Sequence, residues 1–317
     1  MKEKIKRLVS SLLGDNLVEE YSVGQWYKYR LGQVPSIKDA IAIFENRWGS
    51  LNEDVTESPI FLFSAEWRSG STLLQRLINS DQTMLMWGEP FSRCNIIPSL
   101  ADSIRVFYDG FPSQKYFIDS DMFSSDVERL SSRWTANLFP DIGSLVESHR
   151  VMIKRLFEYP ASSRGFSRWG IKEVRWDISC AYYLKWLFPH AKFLFLYRNP
   201  YKAYRSCWNW RDLYMRWPDQ PVPNPETFGR YWQEMVQGYI EGHQEVDGLL
   251  IKYEEFCAGS PSVQELSEYL NLSLDEKTMT TKIGSLGTAV DLSHRQKTRL
   301  RKHVNPLAAE LGYSFDS

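Results

Sequence analysis

The sequence predicts an α/β fold in three layers, a central parallel sheet with helices on both faces. Three observations lead there. Five short apolar runs lack the polar alternation of a half-exposed strand, and longer stretches of helical period separate them. One of those runs ends in a Gly- and Ser-rich turn that opens a helix, the join expected of a strand feeding a layered α/β domain.

Taken in order, residues 1–56 read as a helical extension of mixed polar and apolar character, closing in the acidic LNEDVTESP (51–59). Residues 57–317 read as one α/β domain. Its first strand is IFLFSA (60–65), entered through Pro59, and a helix follows over Ser71–Ser80. The next strand, MLMW (84–87), is expected beside the first. WGIKE (169–173), KFLFLYR (192–198) and GLLIKY (248–253) supply the remaining strands. Further helices are expected over about Cys180–Phe188, from Pro200 onward, and over PSVQELSEYLNL (261–272). The Trp-, Arg- and Pro-rich stretch 208–232 is too aromatic for a linker and reads as a candidate lid. The basic HRQKTRLRKH (294–303) reads as a solvated helix face.

Composition narrows the function classes. The 317 residues are 43% hydrophobic and 24% charged, as in an ordinary soluble globular protein. A net charge of −1 argues against bulk nucleic-acid binding. No apolar run reaches the length of a transmembrane span. The N-terminal MKEKIKRLVSSLLGDNLVEE meets acids too soon for a signal peptide and reads as an amphipathic helix. Cys94, Cys180, Cys207 and Cys257 form no CxxC pair, so reduced thiols and a cytoplasmic location are expected. The five histidines show no HExxH or other metal spacing, and no metal site is expected.

The turn after the first strand carries the chemistry. Against GxxxxGK[ST], Ala65 stands at the first glycine and Ser71 at the lysine, so this is a P-loop-like turn without its lysine. Amides at the helix N-terminus can still bind an anion. Ser69, Gly70, Ser71 and Thr72 surround that point with backbone and hydroxyl donors, and Arg68 brings a planar fork suited to a tetrahedral oxyanion. A second anion clamp is expected where a strand delivers Arg198 before Asn199-Pro200, with Ser206 about two turns into the helix that follows. The plainer alternatives are a capped helix with a solvated Arg68, and a surface arginine beside a helix cap.

Together the two motifs resemble the sulfotransferases that use 3′-phosphoadenosine 5′-phosphosulfate (PAPS). In that superfamily an R/K-S-G-[ST]-T loop binds the 5′-phosphosulfate, and R-N-P with a serine eight residues after the arginine binds the 3′-phosphate. The form RSGSTLLQRLINSDQTMLMWGEPF (68–91) is closer to the tyrosylprotein, carbohydrate and bacterial branches than to the cytosolic phenol and steroid enzymes. The resemblance runs from residue 59 to the C-terminus through WGIKEVRW, LLIKYEEF and HVNPLAAELGYS. It implies Glu89 as the base that takes the acceptor proton, Lys172 near the sulfuryl group and Arg68 on the group in flight, with no metal required. Arg93 is a candidate partner of Glu89 or of an anionic acceptor. The acceptor itself is a hydroxyl, with a saccharide or natural product favoured over a tyrosine residue.

One departure stands out. Many relatives close over the cofactor with a basic, Gly-rich segment ending in Trp, whereas 280–294 keeps Lys282, Gly284 and Gly287 without that Trp. Competing structural roles are a Glu173 partner or surface lysine for Lys172, and a turn cap for Glu89. Of the twelve tryptophans, most are expected in the core, with Trp208, Trp210 and Trp217 the candidates for stacking on a ligand. The competing functions are a P-loop nucleotide kinase and a catalytically idle anion-binding module.

Overall fold

The computed structural model describes residues 34–50, 52, 54–89, 95–107, 112–113, 116–117, 139–210, 221–280 and 291–314. All five expected strands form: β1 (Ile60–Ser64), β2 (Met84–Trp87), β3 (Arg168–Val174), β4 (Lys192–Tyr197) and β5 (Leu249–Lys252). The principal helices are α1 (Ile37–Trp48), α2 (Ser71–Ile78), α3 (Ile96–Ser103), α4 (Ile142–Ile153) and α5 (Ile178–Leu187). They continue with α6 (Pro200–Trp208), α7 (Pro225–Gly242), α8 (Val263–Leu270) and α9 (His294–Val304).

The strands run in the order β2-β3-β1-β4-β5, and every pairing is parallel. This corrects one expectation: β2 does not neighbour β1, because β3 lies between them. The reason is burial. β2 is four residues with alternate residues only half-buried, the pattern of an edge strand, while β3 is buried along nearly its whole length and belongs inside. Gly170 lets β3 approach, since a Cβ there would stand 2.3 Å from the Ile60 carbonyl oxygen.

The two faces of the sheet are covered by different helices. Ile60, Leu62, Leu194 and Leu196 form one face under Leu74 and Leu77 of α2 and Leu266 and Leu270 of α8. Phe61, Phe63, Phe193 and Phe195 form the other under α5 and α7, which contribute Tyr183, Leu184, Trp232, Val236 and Tyr239. Each such side chain stabilises the fold by about 1.5–3 kcal/mol on burial. The same core takes in α1, whose Phe44 ring lies 5.1 Å from Trp186 and 5.6 Å from Phe107. Most tryptophans are core residues, Trp67, Trp169, Trp176, Trp186 and Trp232 among them. Trp208 is half-buried with its ring 6.1 Å from Tyr204, Trp210 is half-buried, and Trp217 falls outside the described residues.

Crossovers position the site. After β1 the chain leaves to the aliphatic face through α2, and after the adjacent β4 it leaves to the aromatic face through α6. Strands whose helices part in this way open a crevice at their carboxyl ends. The basic stretch forms α9, with Leu300 and Val304 inward and Arg299 paired to Glu226 of α7.

Gly170→Ala tests the tight β3–β1 approach. The methyl meets backbone and cannot turn aside, so unfolding free energy should fall by about 1–3 kcal/mol or more in urea titration. Unchanged stability would show that the two strands can separate without loss.

Candidate active site

The turn that follows β1 is built from its own hydrogen bonds. The Ser64 and Ser69 hydroxyls both donate to the Glu66 carbonyl, at 3.1 and 2.6 Å. Ser69 is fully buried and its hydroxyl is engaged within the turn, so it does not present the free hydroxyl the sequence suggested. Arg68 and Gly70 take left-handed backbone, φ +64° and +96°. At Gly70 glycine is required twice over, because a Cβ would also stand 2.2 Å from the Tyr253 ring. Gly70 gives α2 no side-chain cap, the kind of helix start at which an anion can take the place of a capping group. Ser71 is buried and Thr72 exposed at that turn.

The two expected anion clamps converge on one residue. Arg68 Nε donates to Ser206 Oγ at 2.9 Å, and Arg198 donates to the Arg68 carbonyl at 2.8 Å. Asn199 caps α6 by accepting from the Tyr201 and Lys202 amides, and Pro200 sits in its first turn. Tyr253 braces the pair: its ring lies against Gly70 and 4.4 Å from the Arg198 guanidinium. Glu254 accepts from the Asn199 amide at 3.1 Å and from the Tyr313 hydroxyl at 2.9 Å, fixing β5's end to β4's. These two braces lie in the LLIKYEEF stretch, whose part in the site is visible only once β5 is placed beside β4.

Lys172 and Glu89 form an ion pair. Lys172 is 3% exposed, so it is not a surface lysine. It reaches Glu89 because β3 separates β2 from β1. Gly88, the residue before Glu89, lies close to α2, since a Cβ there would stand 3.5 Å from Gln75 Nε2. Arg93, Lys282, Gly284 and Gly287 fall outside the described residues.

Sequence reasoning missed a charged floor beneath the loop. Glu66 is fully buried, accepts the Trp67 amide at 3.0 Å through one carboxylate oxygen, and has no partner for the other among the described residues. Arg175, also buried and left-handed at φ +62°, lies with its guanidinium 3.8 Å from the Trp67 ring centroid. Burial raises the Glu66 carboxyl to about 7, outweighing the Arg175 charge and the Trp67 N–H, which pull it down. The signal was a glutamate directly after an apolar strand, where a charge must find a partner inside.

The sulfotransferase family profile matches residues 59–276, and the chain belongs to that family. Among solved structures, the sulfotransferase domain from the curacin biosynthetic pathway is 13% identical, with TM-score 0.45 over 82% of this chain and 99% of its own. The sulfotransferase domain of the Synechococcus PCC 7002 olefin synthase is 16% identical, with TM-score 0.42 over 83% and 85%. A sulfotransferase from Alicyclobacillus acidocaldarius is 14% identical, with TM-score 0.42 over 82% and 98%. Likenesses at this distance carry nothing further; membership rests on the family match. No curated protein matches the sequence. Among the described residues, no group of three or more His, Cys, Asp or Glu is placed to hold a metal, and no helix is long and apolar enough to cross a membrane.

Glu66 makes stability pH-dependent. Its carboxyl is raised in the folded chain, so the unfolded chain binds fewer protons between the ordinary value of 4.5 and about 7. The associated stability is full below 4.5 and is lost as pH rises through 7, by up to about 3 kcal/mol. Glu66→Gln should therefore raise the melting temperature at pH 8 and leave it nearly unchanged at pH 5. An equal shift at both values would assign the effect to packing rather than to charge.

Proposed function

We propose that this sulfotransferase moves a sulfuryl group from PAPS to an acceptor hydroxyl, a saccharide or natural product being the favoured class. The observation that carries the reading is the meeting of Arg68, Ser206 and Arg198 at the uncapped start of α2, together with the Lys172–Glu89 pair between β3 and the end of β2. The donor set fits a ligand with anions at two ends. Amides, hydroxyls and two planar guanidinium groups suit phosphate and sulfonate oxygens, and Arg198 Nε has no partner among the described residues.

In this reading Arg68, the amides of residues 69–72 and the Ser71 and Thr72 hydroxyls hold the 5′-phosphosulfate, while Arg198 and Ser206 hold the 3′-phosphate. When bound, PAPS supplies the sulfuryl group and leaves as adenosine 3′,5′-bisphosphate. Glu89 accepts the acceptor's hydroxyl proton as its oxygen attacks. Lys172, paired with Glu89 at rest, places its ammonium where negative charge develops on the bridging oxygen. Arg68 steadies the sulfonate between the two. Positioning and fixed charge carry the rate, with no metal in any step.

Adenosine 3′,5′-bisphosphate should raise the melting temperature because it binds the native chain, and AMP, lacking the 3′-phosphate, should do so much less. Equal shifts from AMP and ATP with dependence on magnesium would overturn the donor assignment.

Glu89→Gln separates chemistry from structure. Gln keeps the size and cannot take a proton, so turnover of PAPS with a hydroxyl acceptor should fall by about 10²–10⁴-fold. Affinity for adenosine 3′,5′-bisphosphate should stay near wild type. A variant keeping more than about a third of its rate removes Glu89 from the base role.

A further inference from the structure

The buried charges beneath the loop have no part in sulfuryl transfer as described. Glu66 follows β1, and Glu173 and Arg175 mark the end of β3, each at most 4% exposed. A carboxylate out of water with one hydrogen bond is poorly compensated. Its counter-charge is divided, because the Arg175 guanidinium also lies over the Trp67 ring and 5.6 Å from the Tyr231 ring.

The described groups that act on Glu66 come from three neighbouring elements. Arg175 faces it from β3's end, Cys207 from α6 and Tyr239 from α7. Burial pushes both the thiol and the phenol well above their ordinary values, so neither ionises. Glu173 lies with Tyr239 on the same floor, and Arg68 and Arg198 act on Cys207 together with Glu66 and Arg175. Glu66 thus sits among the cations that line the anion loop, two residues from Arg68. A polyanion arriving there brings like charge toward a carboxylate that is already poorly solvated, and like charge favours the neutral acid. Neutral Glu66 also frees the Arg175 charge to act on the ligand.

We propose that Glu66 is a positioning residue of the anion loop, acting through the Trp67 amide and the Arg175 guanidinium, and that it takes one proton from solvent when a polyanion fills the loop. The proton passes from buffer to the carboxylate and no other bond changes. The choice of ligand rests on the sulfotransferase reading; the device belongs to this chain's own residues.

Calorimetric titration of adenosine 3′,5′-bisphosphate into the full chain at pH 7.5, in two buffers of different ionisation enthalpy, counts the protons. Phosphate monoesters have their second pKa near 6, so the ligand arrives largely ionised. Wild type should take up at least about half a proton per ligand, because free Glu66 is mostly ionised at that pH. Glu66→Gln, neutral but still an acceptor, should show none, and should bind up to about tenfold tighter than wild type at pH 8 while matching it at pH 6. Glu66→Met, which leaves the Trp67 amide without its acceptor, should lose about tenfold in affinity relative to Gln. Its titration also supplies the neutral comparison if the Gln protein does not fold. No proton uptake by wild type, or equal uptake by a neutral variant, overturns the proton linkage, and equal affinity of Gln and Met overturns the positioning role. No binding by wild type at all overturns the PAPS reading of the site and this inference with it.

Discussion

Arg68 holds the site together. Its carbonyl takes the Arg198 guanidinium, its own guanidinium takes Ser206, and its backbone is left-handed. A non-glycine residue pays steric strain of about 1–2 kcal/mol for that conformation, and it persists only where neighbours over-determine it. Here the neighbours come from the ends of two strands and from one helix. β4 sends Arg198, β5 sends Tyr253 against both Gly70 and Arg198, and α6 returns Ser206. A loop held this way is set before any ligand arrives, which is what electrostatic preorganisation of the proposed anion site requires.

The floor explains how strain at the rim is tolerated. Three buried charged groups under one turn would be a poor way to gain stability, because desolvation consumes most of what the pairings return. They fix geometry instead. Glu66 turns the Trp67 amide inward, Arg175 lies flat on the Trp67 ring, and the Arg175 amide donates to the Ser64 carbonyl at 2.8 Å. The two Arg175 contacts tie β1's end and the loop to the end of β3, the strand that also carries Lys172. The loop and the lysine therefore share one frame.

What the sequence disclosed, and what it hid, follows from the kind of information each feature needs. Strands buried on both faces show as unalternating apolar runs, so KFLFLYR and IFLFSA were legible without any partner. Arg68, Gly70, Arg198 and Ser206 were legible because the turn chemistry that places them is local. Strand order was not: nothing in MLMW says that β3 will slip between it and β1, and the edge character of β2 emerges only against its neighbours. The Lys172–Glu89 pair was hidden for the same reason, spanning 83 residues of chain. Glu66 was in plain view within AEWRSG, yet its weight depends on Arg175, which another strand supplies.

Helix α2 links the two halves of the chemistry. Its N-terminus follows the loop proposed to hold the anion, while Gln75 and its C-cap Asn79 grip the strand that leads to Glu89. Asn79 accepts the Met86 amide at 2.6 Å, and Gln75 and Asn79 both donate to the Met86 carbonyl, at 3.1 and 3.2 Å. Those bonds satisfy a backbone unit on an edge strand that would otherwise invite another chain. They also fix the distance from the loop to the proposed base, because one short helix carries both attachments. An edge strand held only by its ladder to β3 could shift along it and take Glu89 out of reach. With Met86 clamped to α2, the strand end before Glu89 and the turn after β1 are held by the same helix, which in the proposed mechanism keeps the base and the sulfuryl group at a set separation.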